Sequence, residues 1–143
     1  MAPYRHYRDK DALLGAVADF GFDKLRAVLL KADQETDPSA ALVAQGRAYI
    51  AFARAHPQLF RLMFAGHGAG PPPVDDNAYG VLVRRIAELS PGNLEAATLA
   101  CWSVVHGIAT LAVGGTLERQ ESNLEIEALE MVVRGIQTAP NPT

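Results

Sequence analysis

The residues best able to do chemistry in this sequence lie together in LEAATLACWSVVHGIATLAV, Leu94 to Val113, which holds the lone Cys101, the lone Trp102, Ser103 and His106. At 3.6 residues per turn, Glu95, Thr98, Trp102, His106 and Thr110 recur at steps of three and four and form one stripe. An indole, an imidazole and hydroxyls aligned in this way suit a pocket wall or an internal polar contact. Ser103 shares a helical side with His106, but no strand-to-helix nucleophile turn and no orienting acid accompany the pair, so the chain is not expected to be an enzyme. His6, His56, His67 and His106 lack any paired ligand spacing, and there is no Gly-rich phosphate loop, so neither metal nor cofactor is expected. A single cysteine among apolar neighbours excludes an internal disulfide framework and fits a reduced, cytoplasmic setting.

The elements that position these groups follow from composition and periodicity. From Ala96 to Val113 there is no Asp, Glu, Lys or Arg, so this helix is expected to be buried nearly all round. Leu94, Ala97, Cys101, Val104, Ile108 and Leu111 form its second stripe. A run of about 18 uncharged residues also meets the lower threshold for a membrane span. Its richness in Ala, Gly, Ser and Thr, its flanking Glu95 and Glu118, and the lack of a basic cluster at either end argue against that, so no membrane partner is expected. With 143 residues, 49% of them apolar and 20% charged, the chain can bury one core. A net charge of −3 gives no general attraction for nucleic acid, and only MAPYRHYRDK at the N-terminus is locally basic.

Asp9 caps an expected amphipathic helix from Lys10 to Ala32, with Leu14, Val17, Ala18, Gly21, Leu25, Val28 and Leu29 inward and Asp19, Asp23, Arg26 and Asp33 on a polar stripe. Asp37-Pro38 opens a second helix, Pro38 to His56. Pro57 ends it and opens a short element, Gln58 to Phe64, and GHGAGPPP, Gly66 to Pro73, interrupts regular structure. Asp75-Asp76 offers a cap for Asn77 to Leu89, with Tyr79, Leu82, Val83 and Ile86 inward. Asn93 caps the central helix, which Gly114-Gly115 ends. Ser122 with Glu125 makes a capping box for a last helix, Asn123 to about Gln137. No stretch alternates as a strand, and the expected fold is all-α, an antiparallel bundle of about six helices.

Three segments in this order carry a family resemblance: YRHYRDKDALL at Tyr4 to Leu14, RAYIAFARAHPQLFRLMF at Arg47 to Phe64, and WSVVHG at Trp102 to Gly107. The first resembles the end of the recognition helix and start of the fourth helix in TetR-family transcriptional regulators, with Tyr7 where a Phe is usual. The other two resemble the ligand-binding and dimerisation domain of the TetR subgroup named for its Trp-His-Gly signature. The resemblance implies a remnant of the helix-turn-helix at residues 1–9 and a ligand-binding and dimerisation domain at 10–143. The family's first two helices and most of its recognition helix would lie upstream of Tyr4. Tyr4, His6 and Lys10 match positions that touch DNA phosphates, and operator binding requires the complete helix-turn-helix.

Two readings of the central stripe stay open. Trp102 and His106 are core residues with satisfied N–H groups, or they line a cavity with Tyr49, Phe52, Phe60, Met63, Phe64 and Tyr79 that takes a small apolar or aromatic ligand. Gly107 allows another helix to approach closely. The family pairs its last two helices with their twins across a two-fold axis, which makes Leu111, Leu129, Val132, Val133 and Ile136 the expected homodimer interface, ordinary core being the alternative. The resulting expectation is the regulatory half of a TetR-like repressor. The alternatives are a headless dimerisation partner that silences full-length relatives, or a protein that sequesters a hydrophobic compound.

Overall fold

Most helix boundaries follow from local capping chemistry. The computed structural model describes residues 9–66, 77–117 and 122–138. Within them lie six helices and no strand: α1 Lys10–Ala32, α2 Pro38–Ala55, α3 Pro57–Met63, α4 Ala78–Glu88, α5 Leu94–Val113 and α6 Ser122–Thr138. The all-α expectation holds. The Asp9 carboxylate accepts from the Ala12 N–H at 2.8 Å, Asp37 from Ala40 at 3.0 Å and Asn93 from Ala96 at 3.0 Å. Each satisfies a backbone donor that has no partner inside its helix. Gly115 follows α5 with φ of 79°, a left-handed conformation free of penalty only without a Cβ.

One expected cap is corrected, and one expected capping residue takes a distant partner. Asp75 and Asp76 lie outside the described residues, and Asn77 caps α4, accepting from the Gly80 N–H at 2.8 Å. Glu125, expected in a local box with Ser122, is buried and takes a two-pronged ion pair from Arg54 of α2, one prong at 2.9 Å. A buried carboxylate needs a full countercharge more than a helix needs a further cap.

Helix α2 is the axis of the fold, packed against each of α1, α3, α4, α5 and α6. One core cluster gathers Leu25, Leu29, Ile50, Phe60, Met63, Val81 and Val105, and a second gathers Leu42, Ile86, Ala97, Cys101, Val133 and Ile136. Val81, not among the expected inward residues of α4, is 1% exposed, whereas Tyr79, Leu82 and Val83 are half-buried.

Two larger expectations fail. Helix α5 is not buried all round: Ala97, Thr98, Cys101, Val105 and Ala109 face the core, while Leu99 and Leu111 are 59% and 47% exposed. On α6, Leu129, Val133 and Ile136 are buried in the protomer's own core, so those side chains do not form an outer seam; the exposed apolar residues there are Leu124 and Met131. The reason is the close approach of α6 to α2, where the Leu129 side chain occupies the notch at Gly46; a Cβ there would sit 2.7 Å from Leu129 Cδ1.

Directional contacts fix the perimeter. Arg85 Nε donates to Asp33 Oδ1 at 2.7 Å and its Nη2 to the Glu35 carbonyl at 3.0 Å, joining α4 to the end of α1. Arg61 Nη2 donates to the Val113 carbonyl at 3.1 Å, joining α3 to the end of α5. Helix α3 lies tightly on α1 at Gly21, where a Cβ would sit 2.6 Å from Met63 Cγ and 3.0 Å from Leu59 Cδ1. Gly21→Ala is expected to lower stability: overpacking costs about 1–3 kcal/mol, against at most about 1 kcal/mol gained in helix propensity. Urea denaturation measures it, and a variant as stable as the parent would contradict this close approach.

Candidate functional site

The six helices enclose an apolar cavity of about 990 Å³, open on one side to solvent. Helix α1 contributes Asp19, Phe22, Asp23, Leu25 and Leu29, and α2 contributes Leu42, Gln45, Gly46 and Tyr49. Met63 and Phe64 come from the end of α3, Tyr79 and Leu82 from α4, and Cys101, Trp102, Val104 and Val105 from α5. Helix α6 closes the space with Leu129, Val132 and Val133, three residues expected at a dimer seam.

Tyr49, Met63, Phe64, Tyr79 and Trp102 line the cavity as the sequence suggests, whereas Phe52, Phe60 and His106 stand behind its wall. The Phe60 ring lies 5.9 Å from Tyr49 and 5.1 Å from Phe64, bracing two rings that do face the space, and 5.4 Å from His106. Phe52 packs on His56 at 5.1 Å. Tyr79 meets Trp102 edge to face at 5.6 Å and 74°, a favoured aromatic geometry. Lys10 begins α1 and is exposed, while Tyr4 and His6 lie outside the described residues.

His106 finds its partner in a side chain of α2. The Tyr49 hydroxyl lies 2.8 Å from His106 Nδ1. Burial holds the Tyr49 phenol above its ordinary range, opposed in part by a hydrogen bond from the Trp102 indole. Burial also lowers the His106 pKa. The phenol therefore stays protonated and donates, and the neutral imidazole accepts at Nδ1 with its proton on Nε2. This bond joins α2 to α5 behind the cavity wall.

The other polar members of the α5 stripe are not handles for a ligand. Thr98 and Thr110 donate back to the Leu94 and His106 carbonyls at 2.7 and 2.8 Å. Burial pushes the Cys101 thiol up to about 11, so it is protonated and a poor nucleophile. Among the described residues, no group of three or more His, Cys, Asp or Glu is placed to hold a metal ion.

Sequence reasoning missed Gln45, which is 3% exposed and lines the cavity. Its Nε2 donates to Asp33 Oδ1 at 3.2 Å and toward the Val81 carbonyl at 3.5 Å, and its Oε1 is buried without a partner. The available signal was an amide three residues after Leu42 and four before Tyr49, on the apolar side of α2. Asp19 and Asp23, expected on the solvent stripe of α1, are exposed as expected but stand at the mouth of the cavity.

Comparison with known proteins adds a relationship. Residues 42–136 match the family model described as "Tetracyclin repressor-like, C-terminal domain". A solved protein of unknown function from Rhodococcus sp. RHA1 is similar at 33% identity and a TM-score of 0.79, over 93% of this chain and 76% of that one. No curated protein matches the sequence.

The lowered His106 pKa has a definite consequence for stability. Above its ordinary value of 6.5 the imidazole is neutral in folded and unfolded chains alike. Below that value the unfolded chain takes up a proton first, so the His106 contribution is lost as pH falls toward the folded pKa. Urea melts between about pH 7.5 and about pH 5.5 are expected to show falling stability, with a flatter dependence in His106→Gln; an equal slope in both would remove His106 as the cause. Tyr49→Phe is expected to cost about 1 kcal/mol through the lost hydrogen bond.

Proposed function

This chain belongs to the tetracyclin repressor-like C-terminal domain family, and on that premise we propose that it is the regulatory part of a TetR-like transcriptional repressor, sensing a small, largely apolar molecule and acting as a homodimer. The observation that carries the sensing is the cavity of about 990 Å³. It falls within the volume range of ligand sites and has their mix of apolar walls and few polar groups. Operator binding belongs to a longer chain with a complete helix-turn-helix, in which Tyr4, His6 and Lys10 contact phosphates.

The route from cavity to DNA runs along α1. Five α1 residues line the cavity, and Asp33 at its end bonds both Gln45 and Arg85. A ligand that fits one arrangement of α1 against α2 and α4 better than another shifts the population between them, and only that difference in affinity can drive the change.

Pairing is supported by the surface the protomer leaves uncovered. Ala96, Leu99, Ala100, Ser103 and Leu111 are exposed along one side of α5, with Gly107 half-buried among them, and α6 adds Leu124 and Met131. A Cβ at Gly107 would meet no atom within 4 Å in the protomer. A mid-helix glycine costs about 1 kcal/mol relative to alanine, and close approach of a twin helix gives that cost a purpose. Leu111 and the half-buried Val132 remain interface candidates, joined by Leu99.

Two measurements test these parts separately. Trp102 fluorescence and the melting temperature are expected to respond saturably to members of a panel of neutral hydrophobic compounds, naphthalene and long-chain alcohols among them. No response from any member would sink the sensing role. Leu99→Glu combined with Leu111→Glu is expected to give a folded monomer by light scattering, because both side chains are exposed in the protomer, and an intact dimer would refute the α5 seam.

A further inference from the structure

We propose that the cavity selects alkyl-substituted aromatic molecules, seating the aryl group among Phe22, Tyr49, Phe64 and Trp102 and the alkyl chain toward Leu42, Leu82 and Val133, an inference that rests on the ligand-binding reading above. The lining is sorted by type. Phe22, Tyr49, Phe64, Tyr79 and Trp102 line the space, which leaves only Phe20, Phe52 and Phe60 elsewhere among the described aromatic residues. The lining rings form one connected group. By ring centroids, Phe22 meets Phe64 at 5.3 Å, Phe64 meets His106 at 4.4 Å, His106 lies 6.2 Å from both Tyr49 and Trp102, and Trp102 meets Tyr79 at 5.6 Å. The second core cluster, which holds Leu42, Cys101 and Val133 with Leu82 and Val132 against it, contains no aromatic residue. Each of those side chains lines the cavity.

The sorting follows the helices. Leu42 and Tyr49 both come from α2, and a rise of about 1.5 Å per residue sets them about 10 Å apart along it. On α6, Leu129 packs in the cluster of the rings and Val133, one turn on, in the aliphatic one. The cavity therefore runs from an aromatic end to an aliphatic end. Ring surface is left open at the first: Phe52 and Phe60 are each 4% exposed, whereas Trp102 is 37% exposed and Phe22, Phe64 and Tyr79 are half-buried. Rings favour edge-to-face or offset contact with other rings, so an aryl group there makes contacts that a saturated group does not. The Tyr49 hydroxyl is already engaged with His106 and the Trp102 indole with Tyr49, so these two side chains ask a ligand for contact and not for a hydrogen bond. Aliphatic walls at the other end give burial without direction, which grows with each methylene of a chain.

The test uses the full chain with butylbenzene, butylcyclohexane and decane, which share a carbon count, and a series from toluene to hexylbenzene, followed by Trp102 fluorescence and melting temperature. Each affinity is divided by the probe's partition from water into hexadecane, which removes plain hydrophobicity. Butylbenzene is then expected to exceed both saturated probes by about fivefold, since aromatic pair contacts are worth about two- to tenfold. Phe22→Leu with Phe64→Leu is expected to bring that ratio close to one. Undivided affinity is expected to rise about fourfold per methylene from toluene to butylbenzene. Leu82→Phe, at the aliphatic end, is expected to weaken hexylbenzene by about tenfold while holding toluene within about twofold. A saturated probe that matches butylbenzene, or a preference that survives the ring substitutions, overturns the aryl assignment. Equal losses of toluene and hexylbenzene in Leu82→Phe overturn the orientation, and the parent ratios stand whether or not the variants fold. Failure of these probes where naphthalene or a long-chain alcohol responds overturns this inference alone, and failure of every compound overturns the ligand-binding reading with it.

Discussion

The fold depends on holding an apolar space of about 990 Å³ open inside a chain of 143 residues. Protein interiors pack to crystal-like density, and apolar contact alone has no preferred direction, so greasy helices slide together unless something sets their spacing. Here the spacing is set at the edges by directional contacts. The Arg54–Glu125 pair ties α2 to α6, Arg85 ties α4 to the end of α1, and Arg61 ties α3 to the end of α5. The Tyr49–His106 hydrogen bond holds α2 to α5 behind the aromatic wall, and Phe60 fills the space behind the rings. Bridges made of guanidinium groups leave the middle of the molecule free of the obligation to pack.

Among the polar groups of the described residues, Asp33 is shared between two helices. Its Oδ1 accepts from Gln45 in the cavity wall and from Arg85 on the perimeter. The carboxylate thus joins the end of α1 to a side chain of the cavity lining, Gln45, and to α4 through Arg85. Such sharing makes local changes non-additive, since groups bound to one atom adjust together. It also gives α1 a specific reason to register events inside the cavity beyond general packing.

How much of this was legible in the sequence varies with the range of the interaction. The caps at Asp9, Asp37 and Asn93 and the left-handed Gly115 were readable because donor and acceptor lie within one turn of each other. Glu125 was legible only in part for the same reason in reverse: its spacing from Ser122 suggests a local box, while its ion-pair partner is Arg54, far along the chain. Leu129, Val133 and Ile136 read equally well as core or as interface, because an apolar side chain does not state which surface it will meet. Tyr49, Met63, Phe64, Tyr79 and Trp102 were found by their type, while Gln45 and the Asp19 and Asp23 pair were passed over because a polar residue on an amphipathic helix ordinarily faces water. Only the packing of α2 against α1, α4 and α5 around the cavity decides otherwise.

The uncharged run of α5 has an implication for how the protein lives before it is assembled. By length and composition this helix satisfies the requirements for crossing a lipid bilayer, yet in the protomer only one side of it is covered. Newly made chains therefore carry a greasy strip that a chaperone, a membrane or another unfinished chain can seize. In a homodimer of the kind proposed, the same strip is hidden by its twin, so the number of copies made sets how long each one stays exposed. Scarcity and crowding during synthesis become part of the molecule's physics, and a fault in pairing surfaces first as lost protein, ahead of any fault in sensing.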